Sequence, residues 1–304
     1  MSSDLSGEVS SPTLPTPSQA CDPLRRIRAT ASPMPPLQWA DLRGESSAYD
    51  VLGDIHSCAE ELETLMRSLG YDPRWAEEGG ERVALLDAPR GRKLVLVGDL
   101  IDRGPKSADA LRLAMAIVGQ GHGYIVMGNH DLYLAQWMRG ANLPINPGIA
   151  QTLDQLSRES EGFLRKALDL LSTLPTYLWL DGGRLCVSHG GIREELIGKG
   201  TLEAHDHAIN GDELVRNATN TYDPSLHWSS SYSGETTILY GHFRIQEALW
   251  VNNTMCLDTA CVYGGKLTAL RWPERELVSV PAQRRYTYAR TRDRCIPRGT
   301  ALFS

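Results

Sequence analysis

Nowhere among the 304 residues is there an apolar run long enough to span a bilayer, which excludes a helical membrane protein. The opening residues, MSSDLSGEVSSPTLPTPSQ, have neither a basic start nor an apolar stretch, so no secretory leader is expected there. Cysteine is scarce. Cys21, Cys58, Cys186, Cys256, Cys261 and Cys295 form no CxxC pair, so no spacing supports a structural zinc site, and free thiols in a reducing cytoplasm are expected. Basic residues are not in excess either: the formal net charge is -6, which gives no strong nucleic-acid signal. There is no GxxxxGK[ST] loop, which disfavours a kinase or ATPase. An acidic chain can still handle anionic substrates when cations sit inside its site, and that points to metal rather than to a lysine-rich surface.

What is present suits one substantial core, with 41% hydrophobic residues. Residues 1–47 are rich in Ser, Pro and Thr and are expected to be a disordered tail. A globular domain is expected over 48–283. Residues 284–304 follow as a basic tail without apolar period. Inside the domain, the apolar spacing of Leu62, Leu65, Met66 and Leu69 predicts a helix over 59–69. The unbroken aliphatic run after Lys93 predicts a buried strand, and 124–127 a second. Helices are expected over 107–118, with Ser107 as N-cap, over 130–139, and as one longer region over 148–173. Strands then dominate, at 176–180, 185–188, 237–240, 254–257, 267–272 and 277–281. Alternation of β and α followed by mostly β predicts an α/β fold, a four-layer α/β/β/α sandwich of two mixed sheets flanked by helices.

Five short motifs sit just after buried strands: Gly53-Asp54-Ile55-His56, Gly98-Asp99-Leu100-Ile101-Asp102-Arg103-Gly104, Gly128-Asn129-His130-Asp131, Ser188-His189-Gly190 and Tyr240-Gly241-His242. Four of them contain histidine in a chain that has only eight, and each contains or adjoins glycine. Singly, a Gly-Asp after a strand is ordinary turn chemistry, and a lone Gly-His is an ordinary loop. Together, in order and each at a strand end, they are not. Strand carboxyl ends in layered α/β folds line up along one edge. Short Asp, Asn and His side chains from those turns can meet there around a cation, and this mix of oxygen and imidazole donors suits Mn, Fe or Zn.

The set resembles the calcineurin-like metallophosphoesterases, in the phosphoprotein phosphatase branch, whose signature has the form GDxHG, GDxxDRG, GNH[ED]. From Tyr49 to Pro281 the chain is similar to the bacterial subgroup of symmetrical dinucleoside tetraphosphatases and the phosphatase module of polynucleotide kinase-phosphatases. The run Leu257-Asp-Thr-Ala-Cys-Val-Tyr-Gly-Gly-Lys-Leu carries much of that similarity. The resemblance implies a phosphoesterase with two divalent metal ions, expected to be Mn with Fe, Zn or Ni as alternatives, acting by metal-bridged hydroxide. It implies Asp54 and His56 on the first metal, Asp99 bridging both, and Asn129, His189 and His242 on the second. It also implies Arg103 as a phosphate fork, His130 as general acid, and Asp102 as its hydrogen-bonding support, with Arg103, Asn129 and His130 touching substrate. Asp131 is expected to fix its loop.

Ser57 and Ala260 stand where the family often has glycine. Arg193 and Arg216 lie in the interval where it carries a second phosphate-binding arginine. The reaction expected first is phosphomonoester hydrolysis, of a phosphoprotein or a broad range of substrates, because Asp102 supplies a supported general acid. The alternatives are hydrolysis of dinucleoside polyphosphates, a polynucleotide end-phosphatase, and a non-catalytic metal-binding module.

Overall fold

The computed structural model describes residues 23–212 and 227–288. In chain order the elements are α1 (Pro23–Thr30), β1 (Ala40–Leu42), β2 (Ala48–Leu52), α2 (Ala59–Ser68), β3 (Asp72–Glu78), β4 (Glu81–Asp87), β5 (Arg92–Leu96), α3 (Ser107–Gly119), β6 (Gly123–Ile125), α4 (Asn129–Met138), α5 (Pro147–Leu156), α6 (Glu161–Thr173), β7 (Tyr177–Leu180), β8 (Leu185–Ser188), α7 (Leu202–Asn210), β9 (Thr237–Tyr240), β10 (Trp250–Val251), β11 (Thr254–Cys256), β12 (Lys266–Trp272) and β13 (Glu276–Pro281).

Two mixed sheets result. The first has the order β13-β12-β2-β5-β6 and the second β1-β7-β8-β9-β11-β10, while β3 and β4 form a separate hairpin. The two-residue period of a strand decides what each face does. In the first sheet Tyr49, Val51 and Val95 point inward and meet Leu185, Val187 and Leu239 of the second sheet, forming the core between the two. Their neighbours Leu52, Leu94 and Leu96 point outward and pack under the helices, with Leu62, Leu65, Leu113, Leu134 and Leu164. On the far side, Cys186, Ile238 and Tyr240 lie against Ala204 and Ala208 of α7. The layering is therefore helix, sheet, sheet, helix.

Within each sheet three strands run parallel. These are β2, β5 and β6 in the first, with Val51 opposite Val95, and β8, β9 and β11 in the second, with Val187 opposite Leu239. Parallel neighbours end on the same side. Each sheet therefore brings three carboxyl ends to one edge.

Several elements differ from expectation. The segment expected to be a disordered tail is ordered from Pro23 onward. Leu24 and Ile27, three apart on α1, are buried against the helical layer, each contributing on the order of 2 kcal/mol. Arg28 donates to the carbonyls of Trp137 and Ala141. Downstream, β1 pairs in parallel with β7, and Trp39 stacks on Tyr177 at 5.1 Å. The Ser/Pro composition of the first twenty residues masked these apolar anchors in the average. Residues 1–22, and the basic tail from 289 onward, lie outside the described residues. The 148–173 region is two helices, because Ser160 caps a new start by accepting from the Phe163 amide. Ser107 is the first helical residue rather than the cap, since its amide is taken by Gln155 and its hydroxyl by Ser57.

Candidate metal centre

Six parallel strand ends meet at one edge, and the side chains that follow them converge. Asp54 and His56 follow β2, Asp99 follows β5, Asn129 follows β6, His189 follows β8 and His242 follows β9. Asp99 lies at the middle. Its Oδ2 is 3.4 Å from His56 Nε2 and 4.0 Å from His130 Nε2, and its Oδ1 is 3.3 Å from His189 Nε2. Asn129 Oδ1 is 3.0 Å from His189 Nε2 and 3.2 Å from His242 Nδ1. Two sets of donor atoms close enough for one ion share Asp99: His56, Asp99 and His130 in one, and Asp54, Asp99 and His189 in the other.

Close approach is what the glycines supply. A Cβ on Gly241 would lie 1.9 Å from Asp54 Oδ1, and one on Gly128 would lie 2.3 Å from Asp99 Oδ1. Strain collects at the same place. Of ten non-glycine residues with positive φ among the described residues, seven are His56, Ser57, Asp99, Asp102, Arg103, His242 and Ala260. Left-handed backbone costs a residue with a Cβ about 1–2 kcal/mol, and such strain concentrates where geometry is held for function. Ser57 and Ala260 adopt φ of 59° and 62°, so both tolerate a conformation that glycine takes freely.

The donor set fits divalent cations. His56 donates through Nδ1 to the Ile101 carbonyl at 3.0 Å, and His189 through Nδ1 to the Val97 carbonyl at 2.9 Å. Both bonds fix the tautomer that leaves Nε2 as an acceptor facing the centre, as metal-ligating imidazoles require. Burial, and then the neighbouring Asp258 and Asp99 charges, push the Asp54 carboxyl well above its usual range. Burial also raises Asp258. For Asp99 burial acts upward, but His189, His130 and His56 outweigh it and hold the carboxyl well below the usual range. Burial opposes charge on His189, yet Asp99 and Asp54 raise it to about 10. His56 is driven the other way, by burial and by Arg103. Three buried carboxylates, two of them pushed up by burial, are costly to hold charged together, and a bound cation offsets that cost.

Burial falls off across the site. Asp54, His56, Asp99 and His189 are buried, whereas Arg103, Asn129, His130 and His242 are partly open. Arg103 spans two rings, with Nη1 2.5 Å from His56 Nε2 and Nη2 2.9 Å from His130 Nε2. His130 Nδ1 is 2.6 Å from Asp102 Oδ2. Asp131 accepts from the amides of Leu100 and Gly128 and so ties two site loops together.

Two residues escaped the motifs. Asp258 follows β11, completing the sixth strand end, and is buried against the centre with Oδ1 accepting from the Ala260 amide. Its signal was the same strand-then-Asp pattern that marked Asp54. Thr152 on α5 donates to Asp102 Oδ1 at 2.5 Å and anchors it. Of the two candidates for a second arginine, Arg193 pairs with Glu203 and Glu195, and Arg216 lies outside the described residues. Arg244, two residues past His242, is the arginine found nearby. Its guanidinium sits 4.2 Å from the Tyr263 ring, which Arg103 approaches at 5.8 Å.

Comparison with known proteins agrees with this geometry. A profile of the calcineurin-like phosphoesterases matches residues 49–276. The chain is 36% identical over 242 residues to the asymmetrical bis(5'-nucleosyl)-tetraphosphatase PrpE of Anoxybacillus flavithermus, covering 78% of this chain and 96% of that protein. It is 35% identical over 249 residues to the Bacillus subtilis protein of the same name, covering 81% and 99%. Among solved structures, a diadenosine tetraphosphatase-like protein superposes with a TM-score of 0.57 at 22% identity, covering 81% of this chain and 98% of that one. A Saccharomyces cerevisiae serine/threonine phosphatase shares the fold with a TM-score of 0.50 at 14% identity, covering 86% of each chain. With strand-end donors gathered from both sheets and a family match across its folded length, the chain belongs to the calcineurin-like phosphoesterases, metal-dependent hydrolases of phosphoric esters built round a dinuclear divalent centre.

Proposed function

We propose that this enzyme hydrolyses a phosphoanhydride bond of dinucleoside tetraphosphates. The observation that carries the reading is the likeness to tetraphosphatases along nearly their whole length, 96% in one and 99% in another. Asp54 and His56 would hold one divalent cation, Asn129, His189 and His242 the other, and Asp99 both; manganese is the metal we expect. Bound cations of this kind lower the pKa of water and neutralise charge developing on phosphoryl oxygens.

The chain's own residues supply the rest. Arg103 offers a planar pair of donors to two phosphoryl oxygens, a match that lysine lacks. His130, oriented through Nδ1 by Asp102, would pass a proton from Nε2 to the departing oxygen once Arg103, whose Nη2 faces that nitrogen at 2.9 Å, turns to the phosphate. Asp102 is itself held by Thr152, so the imidazole has little freedom to turn away.

A nucleotide leaving group departs as a phosphate oxygen and needs that proton far less than an alkoxide does. This gives the test. Diadenosine tetraphosphate is supplied with Mn, and the products are separated by chromatography. AMP with ATP indicates asymmetrical cleavage, two ADP indicates symmetrical cleavage, and an intact substrate overturns the proposal.

A second reading, phosphomonoester hydrolysis, is favoured by the 2.6 Å His130–Asp102 contact, which suits protonation of an alkoxide. It predicts faster turnover of a phosphoserine peptide than of diadenosine tetraphosphate.

A further inference from the structure

Beside the centre lies a cavity of about 700 Å³, within the range of small-molecule sites. Three segments wall it: the loop after β9, the turn before β12 and the chain after β13. Arg244, Lys266 and Arg285 line it, with Glu247 as the one acidic side chain among its lining residues. Lys266 and Glu247 pair at 2.6 Å, and Arg244 and Arg285 add two further cations to the lining. In a chain of net charge -6, a positive pocket calls for an anionic ligand.

Two tyrosines share that pocket. Tyr263 stands between it and the centre, with Arg244 at 4.2 Å and Arg103 at 5.8 Å from its ring. Tyr288 lies at the open side, 80% exposed, with the Arg285 guanidinium 5.5 Å from its ring. Arginines recognise phosphate oxygens by paired donors, and tyrosine faces stack on bases whatever their identity.

We infer that this cavity is a binding site for a nucleoside phosphate, its phosphates on Arg244 and Arg285 and its base against Tyr288. The inference rests on the tetraphosphatase reading, in which one nucleotide arm of the substrate must lie beyond the bond being cut. Tyr263 lines the cavity and is approached from the centre by Arg103 at 5.8 Å, which puts the cavity where that arm would extend.

The test reads binding rather than turnover. ATP and inorganic tripolyphosphate are titrated calorimetrically, without added metal, into the full chain and into Arg285→Ala and Tyr288→Ala. Both positions are exposed, and an unchanged melting temperature confirms folding. Arg285→Ala is expected to weaken both ligands at least tenfold, and Tyr288→Ala to weaken ATP about fivefold or more while leaving tripolyphosphate within twofold. Equal ATP affinity in all three proteins overturns the site. A Tyr288→Ala loss shared by tripolyphosphate overturns the stacking. Failure of wild type to cleave diadenosine tetraphosphate would count against the proposed reaction, while the titrations would still decide the cavity.

Discussion

The two sheets supply the centre unequally. From the first come Asp54, His56, Asp99, Asp102, Arg103, Asn129 and His130, and from the second come His189, His242 and Asp258. The first thus holds the group shared by both donor sets, the proposed phosphate fork and the proposed acid with its support. The second adds two imidazoles and one buried carboxyl. Backbone strain follows the same division, with five of the seven strained site residues on first-sheet loops and only His242 and Ala260 on the second. The demanding geometry is concentrated on one sheet, and the other closes the cage.

That contrast can be broken by substitution. The largest effect is expected from Asp99→Asn, which removes the shared carboxylate: activity on any substrate should fall at least about a thousandfold with melting temperature little changed. Removing the acid should separate substrates. His130→Asn is expected to lower turnover of a phosphoserine peptide about a hundredfold or more and of diadenosine tetraphosphate less than tenfold, in line with typical general-acid contributions. Equal losses on both would remove the argument from leaving-group chemistry. A smaller effect, about three- to tenfold and confined to alkyl phosphates, is expected from Thr152→Val, which frees Asp102 without touching substrate.

The second sheet should show itself in stability instead. His227 packs on Tyr240 and Phe243, and burial lowers its pKa to about 4, with Asp212 acting upward and His207 and His242 downward. Because its folded pKa lies below the unfolded 6.5, the unfolded chain takes up a proton first as pH falls. Its contribution is intact above 6.5 and is lost between 6.5 and about 4, by roughly 1.4 kcal/mol per pH unit. His227→Gln should remove that part of the slope in denaturant titrations compared across this window. Least of all, Ala260→Gly should raise the melting temperature by about 2–4 °C, by relieving a φ of 62°.

Legibility in the sequence followed the same line. The first-sheet motifs could be read because each is local: glycine and polar side chains fall within seven residues just after a strand, as in Gly98 to Gly104. His189 and His242 were readable for the same reason, being single side chains at strand ends. Thr152 was not, because its role exists only once α5 lies over the loop that carries Asp102. The cavity was hidden likewise, since Arg244, Tyr263 and Arg285 meet only through three separate segments. Among the elements, α1 and β1 disappeared into a low-complexity average, and β3 was missed because Asp72–Glu78 is largely polar and pairs only with its hairpin partner. The relatives also place weight on the dinucleoside reaction rather than on the phosphomonoester reaction expected first from Asp102: a supported acid is compatible with an easy leaving group and does not select against it.

Side chains from both sheets would hold a pair of cations, with Asp99 shared between them. Metal content after equilibration with Mn and gel filtration tests this most directly, in wild type, Asp99→Asn and His242→Ala. Two ions per wild-type chain, about one in His242→Ala and fewer than one in Asp99→Asn is the result predicted. A single ion in wild type, or two retained without Asp99, would contradict it.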